Sequence, residues 1–234
     1  MPFLAFYSST NTKGRHDATG AFIPEVKRFA KLHSLSTADL VPVKCVGVPR
    51  ERRAAVVTER LRGCADGSLA GVAFFCHGWP SGIQFGFDLQ NVGALARLLA
   101  VKTESAPVVV LYACLTAENA ERDQDVENVG PGTDGGFADA LRDRLAEEGK
   151  TEGWVDAHKT AGHSTWNPFL VRFRLADVED RQLGGVGGEW IVAPGSEHWH
   201  EWRRRLACSE DALRYRFPFL TTFQIKTDLQ KCRF

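Results

Sequence analysis

This 234-residue sequence lacks two features that mark nucleic-acid-binding and membrane proteins: an excess of charge of one sign and a long apolar run. Lys plus Arg number 29 and Asp plus Glu number 29, so the formal net charge is zero. A balanced charge provides no attraction to nucleic acid or to an anionic membrane. The longest apolar run, Val108 to Leu115, is far shorter than the ~20 residues that cross a bilayer. We therefore expect no nucleic acid and no membrane as partner.

The six cysteines include no Cys-x-x-Cys pair, which argues against a zinc ribbon. The N-terminal residues lack the basic start, the long apolar core and the cleavage site of a signal peptide. We therefore expect a cytoplasmic protein whose cysteines are mostly reduced thiols. With 44% hydrophobic and 25% charged residues, the composition is that of a globular protein. Residues 1–234 are long enough to form one domain with a sizeable core.

Apolar stretches alternate with amphipathic stretches along most of the chain. The strand-like runs are 3–8, 40–47, 71–76, 107–113, 153–157 and 168–175, and the helix-like runs are 22–33, 49–62, 91–101 and 137–148. Continuous apolar strands separated by helices are typical of a mainly parallel sheet covered on both faces. The predicted fold class is therefore α/β, a three-layer α-β-α sandwich, with the alternating run 168–175 near a sheet edge.

Two segments depart from this pattern. Residues 118–136 contain six acidic residues, several glycines and a proline without apolar periodicity, which predicts a flexible acidic loop. Residues 189–234 form a C-terminal extension rich in Trp and Arg, whose packing the sequence leaves open.

The residues most informative about chemistry follow two apolar strands. His77 comes directly after the run 71–76, and Cys114 comes directly after the run 107–113. Active sites in parallel sheets lie at the carboxyl ends of the strands, where these two residues are expected. A cysteine becomes nucleophilic as the thiolate, which a nearby imidazole favours. Gly78 leaves room for a substrate carbonyl, and its N–H is suited to stabilising an oxyanion. The alternative is structural, since buried cysteines and strand-terminal histidines also occur without function.

The two blocks Gly71–Gly78 (GVAFFCHG) and Val108–Cys114 (VVVLYAC) resemble those of the caspase-like cysteine peptidases. This clan includes caspases, metacaspases, clostripain, legumain and gingipain. The segment Gly82–Gly86 is similar to the short hairpin that follows the caspase His-Gly, and Ser9–Phe29 is similar to the caspase loop and first helix. The likeness covers roughly residues 1–175.

The resemblance implies a role for each matching residue. Cys114 would be the nucleophile, His77 the general acid and base, and the amides of Gly78 and Cys114 the oxyanion hole. Arg15 would lie where caspases bind a substrate carboxylate. Tyr112 occupies the position that lines the primary specificity pocket, where metacaspases and clostripain have Asp and caspases have Gln. Cleavage beside acidic or basic residues therefore stays open, since acids of the 118–136 loop would instead favour a basic substrate.

Several other polar residues are of types that occur in functional sites. The run 157–168 follows a predicted strand, so His158 and Asn167 are candidates for substrate contact. His198 and His200 suggest a metal, yet no cysteine or carboxylate set completes a zinc pattern, and we expect no metal or other cofactor. An esterase using Ser164 is disfavoured because the string Gly162–Trp166 lacks the final glycine of a nucleophile elbow.

The sequence thus predicts an intracellular cysteine endopeptidase that acts on protein or peptide substrates through an acyl-enzyme. The clan implies gating by an activating partner, by self-cleavage, for which the 118–136 loop is a candidate, or by homodimerisation. The alternative is a catalytically inactive caspase-like interaction module. The presence of both His77 and Cys114 argues against that alternative.

Overall fold

A computed structural model of the protein describes residues 2–9, 19–118, 136–159, 170–177 and 188–191. The helices in these ranges are α1 Thr19–Leu32, α2 Arg50–Arg62, α3 Val92–Lys102 and α4 Phe137–Glu147, with short 3-10 turns at 37–39 and 175–177. The strands are β1 Phe3–Ser8, β2 Leu40–Val43, β3 Leu69–Phe75, β4 Gly78–Trp79, β5 Gly82–Ile83, β6 Phe87–Asp88, β7 Thr103–Tyr112, β8 Trp154–His158, β9 Leu170–Arg174 and β10 Glu189–Trp190.

Seven strands form one sheet in the order β10-β9-β8-β7-β3-β1-β2. The pairs from β2 to β8 are parallel, and β9 and β10 are antiparallel additions at one side. At the other side, β2 contains Pro42, which a strand tolerates at an edge because one side of it donates no ladder hydrogen bond. The order places β3 and β7, whose ends carry the candidate residues, next to each other near the middle of the sheet.

Helices cover both faces of the sheet, which gives an α/β sandwich. On one face α1 buries Phe22, Val26 and Phe29 against residues of β1, β3 and β7. On the other face α2, α3 and α4 bury apolar residues against the same strands and β8. The strands between them are apolar on both sides, as the runs 71–76 and 107–113 predicted.

The predicted fold class is confirmed at this level, and the predicted helices and strands in the described residues are all present. Most of their ends agree within three residues, and two differ by four. β2 stops at Val43 instead of Gly47, because the chain turns before α2 and Gly47 adopts a φ of +68°. β7 begins at Thr103 instead of Pro107, because Thr103 already pairs with Leu69 and the mostly polar residues 103–106 lead into the run through an irregularity in the register. Periodicity does not detect such a start, since these residues are polar.

A small second sheet, β4-β5-β6, follows β3 directly and contains the hairpin that the sequence suggested at Gly82–Gly86. Most of the predicted acidic loop and of the C-terminal extension lies outside the described residues. The described start of the extension, Glu189–Trp190, pairs with β9 as the outermost strand. None of the described helices has the length and apolarity needed to traverse a bilayer.

Candidate active site

The ends of β3 and β7 bring His77 and Cys114 to the same level of the sheet. Phe75 lies opposite Tyr112 in the parallel register, and the Cys76 N–H donates to the Tyr112 carbonyl at 3.3 Å. The His77 imidazole contacts Phe22 of α1 and so lies on the face of the sheet that α1 covers. His77 and Cys114 each follow the Phe75–Tyr112 pair by two residues, so both lie at the same end of two neighbouring strands. Both side chains are partly exposed.

Gly78 lies against the backbone of the Cys114 turn. A Cβ atom added to Gly78 would be 2.7 Å from both the Ala113 Cβ and the Cys114 carbonyl oxygen, and 2.8 Å from the Thr116 Cγ2. Carbon atoms do not approach backbone this closely, so only glycine fits here. This close approach is direct evidence that the chain after His77 contacts the chain around Cys114.

The hairpin pairing also orients the Gly78 amide. The Gln84 N–H donates to the His77 carbonyl at 2.9 Å, which makes His77 and Gln84 a hydrogen-bonded pair. The next pair, Gly78 and Ile83, is then a non-hydrogen-bonded pair, whose amides face away from each other. Because β4 is the edge strand of its sheet, the Gly78 N–H faces outward from the hairpin. An outward amide beside the Cys114 turn is the arrangement that an oxyanion hole requires.

The turn that carries Cys114 is strained and firmly anchored. Leu115 has a φ of +62°, a region that branched, bulky residues rarely adopt and that costs about 1 kcal/mol or more. The Thr116 hydroxyl donates to the Ala113 carbonyl at 2.9 Å, and the Ala117 N–H donates to the His158 carbonyl at 3.0 Å. Backbone strain held by such bonds is common at active sites.

Helix α1 supplies the wall beside His77. The ring of Phe22 meets the imidazole edge to face, with centroids 5.3 Å apart and an interplanar angle of 83°. Further along the helix, Phe29 lies 6.0 Å from the ring of Tyr112. Glu25, between them on the helix, is 2% exposed. The wall is thus mainly aromatic and includes one buried acidic side chain.

Tyr112 is held in place mainly by aromatic contacts. It stacks on Phe75 with centroids 4.6 Å apart and an interplanar angle of 20°, and its centroid lies 6.0 Å from the His158 ring. Burial raises the pKa of Tyr112 to about 12, and the negative charges of Asp156 and Glu25 add to this shift. The phenol is therefore neutral at physiological pH. Asp156 itself is paired with Arg172, through bonds of 2.8 and 2.9 Å.

His158 also lies at this end of the sheet, as expected from its place after a strand. Its side chain is 1% exposed, and its carbonyl holds the Cys114 turn through Ala117. The structure thus gives His158 a supporting place next to Tyr112, and direct substrate contact stays a prediction. Arg15, Asn167 and Ser164 lie outside the described residues.

The four described cysteines differ in surroundings, and none is in a disulfide. Cys45 and Cys76 are buried, and burial raises the pKa of the Cys45 thiol and raises that of Cys76 still further. Thiols of this kind are unreactive. Cys64 and Cys114 are partly exposed. Of these two, Cys114 is the one at the carboxyl edge of the sheet.

No group of three or more His, Cys, Asp or Glu side chains in the described ranges is arranged to bind a metal ion. His198 and His200 lie outside these ranges. No protein-family model matches the chain, and no curated protein matches it at a significant level. The resemblance to caspase-like peptidases therefore stays a prediction from the sequence motifs.

Sequence reasoning assigned no role to two residues that contact His77. Phe22 lies in the predicted helix 22–33, and Gln84 lies in the predicted hairpin Gly82–Gly86. The Gln84 side chain accepts the His77 N–H at 3.3 Å. A polar residue inside an otherwise apolar and glycine-rich hairpin was the available signal.

Proposed function

We propose that the protein is a caspase-like cysteine endopeptidase in which Cys114 and His77 form the catalytic dyad. The observation that carries the proposal is the approach of Gly78 to the Cys114 turn, combined with the register that ends both strands at the same level. A partly exposed thiol, a partly exposed imidazole and an outward amide at one sheet edge are components that acyl transfer uses.

The reaction would proceed in two stages. The Cys114 thiolate attacks the peptide carbonyl carbon, and the developing oxyanion is stabilised by the amides of Gly78 and Cys114. The C–N bond then breaks, and the His77 imidazolium protonates the leaving amine, which leaves a thioester on Cys114. Neutral His77 next takes a proton from water, the hydroxide adds to the thioester, and the acid product departs as the thiolate is restored.

Substrate binding would involve the residues around the dyad. Tyr112 and its aromatic neighbours would form the floor of the primary specificity pocket, and Arg15, His158 and Asn167 would contact the peptide from the surrounding segments. We also propose an intracellular location for the activity, which agrees with the four described cysteines forming no disulfide. Activation by a partner, by self-cleavage or by homodimerisation is part of the same proposal.

The test is cleavage of a peptide library by the wild-type protein and by the variants Cys114→Ala and Cys64→Ala. Wild type and Cys64→Ala should cleave the same peptides, and Cys114→Ala should cleave none. Cleavage that survives Cys114→Ala would point to another nucleophile, such as Ser164. Absence of cleavage, together with equally slow alkylation of Cys114 and Cys64, would favour an inactive interaction module.

A further inference from the structure

The peptide groups on both sides of His77 are held by one residue, Gln84. The His77 N–H donates to the Gln84 side-chain Oε1 at 3.3 Å, and the Gln84 N–H donates to the His77 carbonyl at 2.9 Å. These two bonds fix the orientation of the peptide planes that flank the His77 Cα. The direction of the Cα–Cβ bond, and therefore the starting point of the imidazole, follows from those planes.

The Gln84 side chain replaces a backbone carbonyl as the acceptor of a strand hydrogen bond. In an antiparallel hydrogen-bonded pair, the two residues exchange both N–H and C=O groups. Here the backbone provides one of the two bonds, and the side-chain oxygen of Gln84 accepts the His77 N–H. The Gln84 carbonyl instead accepts a bond from Arg53 Nη1 at 2.5 Å. The identity of residue 84 therefore matters in a way that an ordinary strand residue would not.

Helix α2 anchors the turn that carries Gln84. Besides the bond from Arg53, the Arg50 Nε donates to the Gly86 carbonyl at 3.1 Å. The Asn91 Nδ2, just before α3, donates to the same oxygen at 3.0 Å. Gly86 has a φ of +96°, and a Cβ there would be 2.4 Å from the Arg50 carbonyl oxygen, so the turn lies directly on the helix. Because the turn is fixed to the helix, the two bonds from Gln84 also fix the position of the His77 backbone.

We propose that Gln84 is a positioning residue that aims the His77 imidazole at Cys114. The inference rests on the proposed function, because it requires the dyad. Replacing the side-chain acceptor leaves the partly buried His77 N–H without that bond and lets the His77 backbone rotate. Small displacements of a catalytic group reduce rates strongly. Loss of one net hydrogen bond corresponds to about fivefold in rate, and we expect a reduction of at least that size.

The experiment measures alkylation of Cys114 by iodoacetamide from pH 5 to 10, by peptide mapping, with Cys64 in the same digest as reference. Gln84→Met is close in size and lacks the acceptor, and Gln84→Asn is polar but too short to reach. Gln84→Glu keeps an oxygen at the same reach. Gln90, six residues after Gln84, is exposed, so Gln90→Leu removes a glutamine amide without touching the hairpin and is the matched control.

Met and Asn at position 84 should lower the Cys114 rate near neutral pH about fivefold or more and move its pH profile toward that of His77→Ala. Glu at position 84 should keep most of the wild-type rate, and Gln90→Leu and Cys64 should be unchanged. If the Gln84→Met variant exposes the buried Cys76 to alkylation, that variant has misfolded. The proposal is then judged on the Cys114 rate of the Gln84→Asn variant.

The inference is overturned if the folded Asn or Met variant keeps the wild-type profile, or if Gln84→Glu loses as much as they do. Failure of the dyad gives a different result. In that case wild type and His77→Ala already have the same Cys114 profile, whatever residue is at position 84.

Discussion

Cys64 and Cys114 are the two partly exposed thiols of the described chain, yet their surroundings share little. Cys64 follows α2 and interacts with its own helix: Arg60 Nη1 donates to its sulfur at 3.3 Å, and the thiol reaches the Arg60 carbonyl at 3.5 Å. Cys114 follows a central strand and lies next to segments that come from distant parts of the sequence. These segments contain His77, Gly78 and Phe137.

The difference shows that exposure alone does not define a candidate site. The polar contacts of Cys64 come from its own helix, and the residue also packs against the core beside α2. The environment of Cys114 requires the whole parallel order β8-β7-β3 and the hairpin after β3. Reactivity that depends on distant residues is therefore expected at Cys114 and not at Cys64.

The largest effect should come from His77→Ala. Removing the imidazole should lower peptide hydrolysis about 100-fold or more, the usual contribution of a general acid and base. Alkylation of Cys114 should fall as well, because the imidazole that would activate the nucleophile is then absent. Rates of peptide cleavage and of labelling at each cysteine, measured by mass spectrometry, provide the check.

Arg60→Ala is the matched control for that experiment. It should change the labelling rate of Cys64 and leave that of Cys114 as in wild type, because Arg60 donates a hydrogen bond to the Cys64 thiol. If His77→Ala slows both cysteines equally, the effect is a general change in folding. If His77→Ala slows the labelling of neither cysteine, Cys114 is an ordinary surface thiol that does not differ from Cys64 in reactivity.

Much of the fold around Cys114 was predictable from sequence, because the runs 71–76 and 107–113 are continuously apolar and end at His77 and Cys114. Periodicity shows where a strand ends, and the parallel-sheet rule shows which ends are functional. Periodicity does not show contacts within a hairpin. The bond from His77 to Gln84 and the strained φ of Leu115 depend on three-dimensional register, so neither could be read from residue types.

A smaller effect is expected from Gly78→Ala. The added methyl would lie 2.7 Å from the Cys114 carbonyl oxygen, and the Cys114 turn must shift to make room. Overpacking of this kind costs about 1–3 kcal/mol of unfolding free energy. Peptide hydrolysis should fall at least about tenfold, because the oxyanion amide moves with the backbone. Urea unfolding and the rate of peptide cleavage test the two expectations separately.

Gly63→Ala provides the control beside the other thiol. Its added methyl would be 3.5 Å from the nearest atom, an ordinary contact, and its φ of −71° suits any residue. Stability should change by less than about 1 kcal/mol, with a gain as readily as a loss. If Gly63→Ala and Gly78→Ala lower the free energy of unfolding equally, the close approach at Gly78 has no special role.

The prediction with the smallest effect at physiological pH, where it vanishes, concerns the phenol of Tyr112, two residues before Cys114. The pKa of Tyr112 is raised to about 12, mainly by burial, while an unfolded chain has a tyrosine pKa of about 10. Below pH 10 the phenol is neutral in both states and its contribution to stability is fully present. Between about pH 10 and 12 the unfolded chain ionises first, so that contribution is lost as pH rises. The loss should reach about 2 kcal/mol at the upper end.

Tyr112→Phe isolates this contribution, since it keeps the ring stacked on Phe75 and removes the ionisable group. Urea unfolding at pH 8 and at pH 11.5 should show a steeper loss of stability for wild type than for the variant. Lysine deprotonation weakens both proteins alike and cancels in the difference. Identical slopes would mean that the phenol is as well solvated in the folded protein as in the unfolded chain. The Tyr112 side next to Cys114 would then be as open to water as the surface around Cys64. The two thiols would no longer differ in how far their surroundings exclude water.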